Sequence, residues 1–271
     1  MFNLAEAQVE RARKIHKSSL VVDTHNDTIL HLIRSPPFIT SETNPLAPRR
    51  TLGERSEHGQ IDIPRIQIGG VDCLLFAMYV SPQYSSRLLR LVQMLDAFQL
   101  EIDKNPDTIA VATSYNEIAK TVKDGKIAAV IAVEGGEPLE GKIESLRTIY
   151  RLGARSLTLT HFPRNELGDG SEADSGSHLT GFGRQVVEEM NSLGMLVDIS
   201  HLNETGFWDV IEPRESAATV QVGADAHVTC ADELYRVIQM VKPVVYGDLF
   251  QGLRVAEADA VFDEAGAEAQ V

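Results

Sequence analysis

From about residue 114 onward the sequence repeats one unit: a capped helix, a glycine, then a short apolar run rich in β-branched residues. Ser114-x-x-Glu117 is a capping box that opens a helix ending at Gly125, and "KIAAVIAV" (126–133) follows as a buried strand. The second unit reads "KIESLRTIYRL", Gly153, "ARSLTLT"; the third reads "GRQVVEEMNSL", Gly194, "MLVDIS". Glycine just past a helix end takes the left-handed conformation that stops it. Strands joined through helices of this length must run parallel, which restricts the chain to an α/β fold with a parallel sheet.

The first half is less regular. "SLVVD" (19–23) reads as a strand, and a long Pro-rich connection, "RSPPFITSETNPLAPRR", separates it from the next, "VDCLLFAMYV" (71–80). Connections of that length inside a domain are usually functional or mobile. After residue 201 the pattern predicts a helix "ETGFWDVI", a weak strand near "AATVQV", a helix around "ADELYRVIQM" and a strand "PVVYGD". These pieces give about seven strands in an order suited to a (β/α) barrel, whose full form has eight strands in ~250 residues. A doubly wound open sheet is the other topology considered, and the lack of a G-x-G-x-x-G after the first strand counts against its dinucleotide-binding version. Residues 1–253 are expected to form one barrel domain, with the pattern clearest over 15–210, and 254–271 an acidic, Ala-rich tail.

Lys and Arg number 25 against 39 Asp and Glu, a formal charge of −14. Nucleic acid and anionic membrane are disfavoured as partners, because phosphate binding needs a basic face. The N-terminal "MFNLAEAQVERARKIHKSS" alternates charged and apolar residues and reads as an amphipathic helix, not a secretory signal, and no run approaches the ~18 apolar residues of a membrane span. Cys73 and Cys230 are the two cysteines, too few and too far apart for a disulfide framework or a cysteine metal site. A cytoplasmic location is the expectation.

The positions of the polar residues carry the functional information. The first strand runs into Asp23, His25 and Asp27; the strand at 127–133 into Glu134-Gly135-Gly136; the strand at 155–160 into His161; the strand at 195–199 into Ser200-His201. In a parallel barrel all these ends lie on one face, where active sites sit. Imidazole and carboxylate without thiolate suit zinc or a similar divalent ion. His25 and Asp27, two apart on an extended segment, share a side and can serve one ion. Glu134 can bridge to a second ion, and His201 can hold it. Asp23 can cap the turn after the strand or orient His25 from behind, the second being the preferred reading, and Asp198 is as readily a buried structural carboxylate as a functional one. His31 and His58 are expected to face solvent, His178 to lie on a lid or a solvated loop, and Phe207 and Trp208 to serve packing. No G-x-S-x-G and no phosphate loop occurs.

"VVDTHNDT", "AVEGG", "SLTLTH" and "LVDISH", in that order, resemble the motifs of the renal or membrane dipeptidase family of the metal-dependent amidohydrolase superfamily, over about residues 15–210. The resemblance implies a TIM-like barrel with two zinc ions per chain that hydrolyses dipeptides. By position, His25 and Asp27 would bind the first zinc, Glu134 would bridge both, His201 would bind the second, and His161 would contact the substrate carbonyl or oxyanion. It also implies a Ser-His-Ser type motif about twenty residues past His201, supplying another ligand to the second zinc. Here that stretch reads "ESAATVQVGADAHVTCADE", which places the ligand position near Gly223, with His227 beyond it. A substrate-binding Arg and a later Asp-containing segment also lack counterparts, and Asp248 sits where a seventh strand would end. The chain is therefore expected to be truncated or altered after about residue 212, with the barrel incomplete at its C-terminus, one zinc as an alternative loading, and a homodimer covering the exposed edge. The leading function is a zinc-dependent dipeptidase. Alternatives are amide or lactone hydrolysis at a single metal, and a catalytically inactive shortened paralogue.

Overall fold

The helix, glycine and strand units fold as one parallel sheet. The computed structural model describes residues 5–33, 50–57, 59–173, 175–211 and the backbone of 220–221. Its strands are β1 (Val22–Asn26), β2 (Cys73–Tyr79), β3 (Ile109–Val111), β4 (Ile127–Glu134), β5 (Ala154–Thr158), β6 (Leu196–Asp198) and β7 (Val220–Gln221). They lie in the order β1-β2-β4-β5-β6-β7, with β3 beside the start of β4, and every pairing is parallel. Among the described residues this is an α/β half-barrel, an incomplete TIM-like barrel.

The connecting helices are α1 (Glu6–Ser18), α2 (Thr28–Leu32), α3 (Ile63–Gly69), α4 (Arg87–Asp103), α5 (Tyr115–Lys123), α6 (Ile143–Arg151), α7 (Gly181–Leu193) and α8 (Glu204–Ile211), with a 3-10 turn at Glu137–Leu139. The Ser114 side chain accepts from the Glu117 N–H and starts α5. The Glu117 carboxylate reaches back to the Thr113 N–H at 2.7 Å, one residue before the cap, so the box closes on a neighbour of its usual partner. Gly194 ends α7 at φ 68, as the helix-stop reading requires.

Both faces of the sheet are covered, the condition under which parallel strands read as unbroken apolar runs. Every residue of β4 is buried. In β2, Leu74, Phe76 and Met78 pack into the larger core with α4, where the Phe76 and Phe98 ring centroids lie 5.2 Å apart, while Cys73 and Leu75 pack into a second cluster with Ala128 and Val130.

Several features differ from the sequence expectations. β1 begins and ends three residues later than "SLVVD", so Asp23 and His25 lie within the strand. β3 was not anticipated, because three residues carry no periodic signal. Neither was α4, whose apolar residues surround the helix and leave Leu89, Val92 and Leu100 exposed. The helix and strand expected around "ADELYRVIQM" and "PVVYGD", most of the passage expected to be altered, and the tail fall outside the described residues, as do most of the Pro-rich connection, Gly223, His227 and Asp248. No helix among the described residues is long and apolar enough to cross a membrane.

Candidate metal centre

Strand register sets the site. Tyr79 pairs with Glu134, Glu134 with Thr158, and Thr158 with Asp198, forming one row across the C-terminal edge of β2, β4, β5 and β6. His161 and His201 each lie three residues beyond the paired Thr158 and Asp198, so the two imidazoles emerge side by side with ring centroids 4.6 Å apart. His201 has φ 61, a left-handed conformation uncommon outside glycine and typical of functional positions. The Thr160 hydroxyl donates to its carbonyl at 3.2 Å.

His25 arrives differently. The β1–β2 register shifts between Asp23 and Asn26, an irregularity that re-aims the strand end. The Asn26 amide fixes the turn by donating to the Leu75 carbonyl at 2.9 Å. Asp27 then occupies the N-cap of α2 without capping it, and its carboxylate faces His25 instead.

Four contacts define the centre. His25 Nε2 lies 3.6 Å from Asp27 Oδ1 and 3.6 Å from Glu134 Oε2. His161 Nε2 and His201 Nε2 each lie 3.5 Å from Glu134 Oε1. These separations are long for hydrogen bonds. They match the edge of a coordination tetrahedron, since two ligands held at about 2.1 Å from zinc stand ~3.4 Å apart. Two groups of three can thus hold an ion, His25/Asp27/Glu134 and Glu134/His161/His201, and Glu134 belongs to both. The first is open, with side chains 39% and 50% exposed at His25 and Asp27; the second is enclosed, at 17% and 11% for His161 and His201. All five site residues expected from sequence therefore meet at one place.

A sequence model of the membrane dipeptidase family, peptidase family M19, matches residues 9–220. The chain belongs to this family. Dipeptidase verJ of Clonostachys rogersoniana is 29% identical over 213 residues, covering 73% of this chain and 53% of that protein, so the chain spans about half the length of this curated relative. A metallo peptidase from Rhodobacter sphaeroides, liganded with a phosphinate mimic of the dipeptide L-Ala-D-Ala, aligns with TM-score 0.63 at 23% identity over 84% of this chain and 72% of its own. The probable dipeptidase PvdM from Pseudomonas aeruginosa aligns with TM-score 0.66 at 17% identity over 89% of this chain and 62% of its own. The last two share the fold.

In this M19 chain the supporting residues divide by what they touch. Asp23 accepts from the His25 backbone N–H at 3.2 Å, so it steadies the strand end, which is the turn-capping role of the two expected for it and not the preferred one. Asp198 is a buried structural carboxylate that accepts from Thr158 Oγ1 at 2.7 Å and from the Ser200 N–H at 2.9 Å, and its charge also reaches His25. Sequence reading overlooked Tyr79 and Phe162. The Tyr79 ring lies 4.6 Å from that of His161, and the exposed Phe162 ring lies 4.1 Å from His161 and 5.0 Å from His201. Tyr79 is placed there by the register between β2 and β4, which pairs it with Glu134. His31 is exposed, as expected, and His58 is outside the described residues. His178 is exposed but not loose, since its Nδ1 lies 2.8 Å from Asp209 Oδ1, which pins its loop to α8. Trp208 and Phe207 pack on each other and the core.

The electrostatics of the candidate centre are those of crowded imidazoles and carboxylates. The Asp27 carboxylate beside His25, reinforced by Glu134, pushes the imidazole up to about 9 against the cost of burial. Burial also acts to raise Asp27, but His25 outweighs it and holds that carboxyl below its usual range. Burial raises Glu134. His161 goes the other way: burial, then the neighbouring His201, bring it down to about 4.

Before an ion binds, then, His25 carries a proton at pH 7 and His161 does not. The stabilisation from the raised His25 is fully present below its ordinary pKa of 6.5 and fades as pH rises through about 9. An ion entering the open group must expel that proton. Calorimetric zinc titrations at pH 7 in buffers of different ionisation enthalpy are expected to show about one proton released for His25, absent in His25→Ala and vanishing above pH 9. Heats independent of the buffer would contradict this assignment.

Proposed function

We propose that the chain hydrolyses the peptide bond of dipeptides at a pair of zinc ions. The observation that carries this reading is the shared carboxylate, with Glu134 Oε2 facing His25 and Oε1 facing His161 and His201. His25, Asp27 and Glu134 would hold the first ion, and Glu134 and His201 the second, with His161 beside it. Ions so held would supply Lewis acidity toward the scissile carbonyl and bring a water to its conjugate base near neutral pH.

The chain's own residues do the rest. The bridging Glu134 fixes the spacing between the two groups and keeps its charge where burial makes electrostatic attraction strong. The half-exposed His25 and Asp27 leave the substrate an approach on the open side. On the enclosed side Tyr79 and Phe162 bracket His161 and limit its rotation, and the exposed Phe162 ring offers an apolar wall to a substrate side chain. A dipeptide suits the reading because a relative of the same fold is liganded with a phosphinate mimic of L-Ala-D-Ala. A reducing, cytoplasmic compartment suits it as well, with Cys73 a buried free thiol.

The test is turnover by the zinc-loaded chain of a panel of dipeptides, N-acyl amino acids and lactones. Dipeptide cleavage that a chelator abolishes and zinc restores is the expected result. Turnover of lactones or acyl amides alone, or none at all with both ions bound, would overturn the reading.

A further inference from the structure

Two turns meet beside the centre, one following Glu134 at the end of β4 and the other running on from His161 past β5. One carbonyl joins them. The Leu159 oxygen accepts from the Gly136 N–H at 3.1 Å and from the Asn165 side-chain amide at 2.9 Å. Leu159 lies two residues before His161 and Gly136 two after Glu134, so a single oxygen ties both site residues to one point.

We propose that Asn165 is a positioning residue: its side chain clamps the segment carrying His161 against the turn after Glu134, and so sets the 3.5 Å separation of His161 Nε2 from Glu134 Oε1. This rests on the hydrolase reading above, in which His161 stands beside the metal pair. The amide uses both of its ends. Its Oδ1 accepts from the Leu167 N–H at 2.8 Å and the Gly168 N–H at 3.3 Å, while the Asn165 N–H donates to the Gly168 carbonyl at 3.0 Å, so the loop closes on itself. Its Nδ2 reaches across to the other turn, donating to the Leu159 carbonyl and, at 3.3 Å, to Glu137 Oε1. Two backbone donors on one end and two acceptors on the other fix which way the amide points. The junction has little slack. A Cβ on Gly136 would stand 2.8 Å from the Leu159 oxygen and 2.7 Å from Leu167 Cδ1, so the two turns approach as closely as a glycine permits. Glu137 is 1% exposed, and its second oxygen, Oε2, has no hydrogen-bond partner. Burial raises its carboxyl above the usual range, so Glu137 serves the clamp as an acceptor without needing a second full negative charge three residues from Glu134.

The experiment separates positioning from metal binding. Wild type, Asn165→Ala and Asn165→Asp are compared in zinc content and in kcat and KM for one dipeptide. Asn165→Asp keeps the oxygen that receives the Leu167 and Gly168 N–H groups and loses both donations to the other turn. Both variants are expected to hold wild-type zinc, with kcat down ~10–100-fold and KM changed less than ~3-fold, because His161 moves and the ions do not. Crystal structures of the variants give a readout independent of turnover, with the His161–Glu134 separation expected to lengthen by roughly 1 Å. If Asn165→Ala fails to fold, Glu137→Ala, which breaks the clamp from the β4 side, takes its place. Wild-type kcat in Asn165→Asp, or His161 unmoved in the variants, would overturn the proposal. So would a fall in kcat matched by a fall in zinc content, since the residue would then support the whole centre. Wild type that holds its zinc and cleaves no dipeptide, with His161 displaced in the variants, would sink the dipeptidase reading and leave the positioning role standing.

Discussion

Glu134→Gln is expected to weaken both metal positions at once and to abolish hydrolysis. The side chain is 6% exposed and is the one member common to both ligand groups. Glutamine keeps the volume but replaces a charged oxygen with an amide nitrogen that binds no metal. Losing a residue that merely orients a ligand costs about 10–100-fold in affinity or activity, so losing the shared ligand should cost more than ~10³-fold. The effect should be asymmetric to single changes elsewhere: His25→Ala empties the open group and His201→Ala the enclosed one, while Glu134→Gln disturbs both. Zinc analysis alongside kcat/KM for one dipeptide checks this. A Glu134→Gln chain that binds two ions with unchanged affinity would remove the bridge from the account. Because burial already raises the Glu134 pKa, the carboxylate depends on nearby positive charge, and its loss should not itself unfold the chain.

The second large effect is steric and acts at a distance from the ligands. Gly170 lies so close to the backbone that a Cβ there would collide with the carbonyl oxygens of His161 and Phe162 and would stand 2.6 Å from the Phe162 carbonyl carbon. Gly170 also bridges to Leu202, the residue after His201. A methyl group at 170 must therefore push apart the two segments that carry the enclosed pair of imidazoles. Gly170→Ala is expected to cost about 3 kcal/mol, since backbone yields less readily than side chains, and to lower the melting temperature by roughly 5–10 °C. Zinc binding to the enclosed group should weaken while the His25 group is spared. Gly181→Ala, where an added Cβ meets nothing within 4 Å, is the control and should change stability by less than about 0.5 kcal/mol. Equal behaviour of the two variants would show that the 161–170 approach does not hold His161 in place.

Much of the centre was legible because parallel topology turns a one-dimensional pattern into a spatial one. His25, Asp27, Glu134, His161 and His201 could be grouped from sequence alone, since each lies at or just past the C-terminal end of a strand and all such ends of a parallel sheet share a face. The helix stops at Gly125, Gly153 and Gly194 were legible for a local reason, as each has positive φ. What the sequence could not convey depends on register and on irregularity. The shift in β1–β2 pairing moves His25 inside the strand and leaves Asp23 bonded to backbone, which simple alternation cannot foresee. The left-handed backbone at His201 is a tertiary demand with no residue-type signal. Tyr79 reads as one more apolar position at the end of a buried strand until its pairing with Glu134 is known. α4 escaped notice because Leu89, Val92 and Leu100 on its exposed side blur the 3.6-residue stripe of apolar residues. The side-by-side placement of His161 and His201 likewise follows from the Thr158–Asp198 pairing, which no motif encodes.

Anomalous diffraction from crystals of the zinc-loaded chain tests the central claim most directly. The account predicts two zinc peaks about 3.5–4 Å apart, one against Glu134 Oε2 with His25 and Asp27, the other against Oε1 with His201. A single peak, or two peaks of which neither touches Glu134, would contradict it.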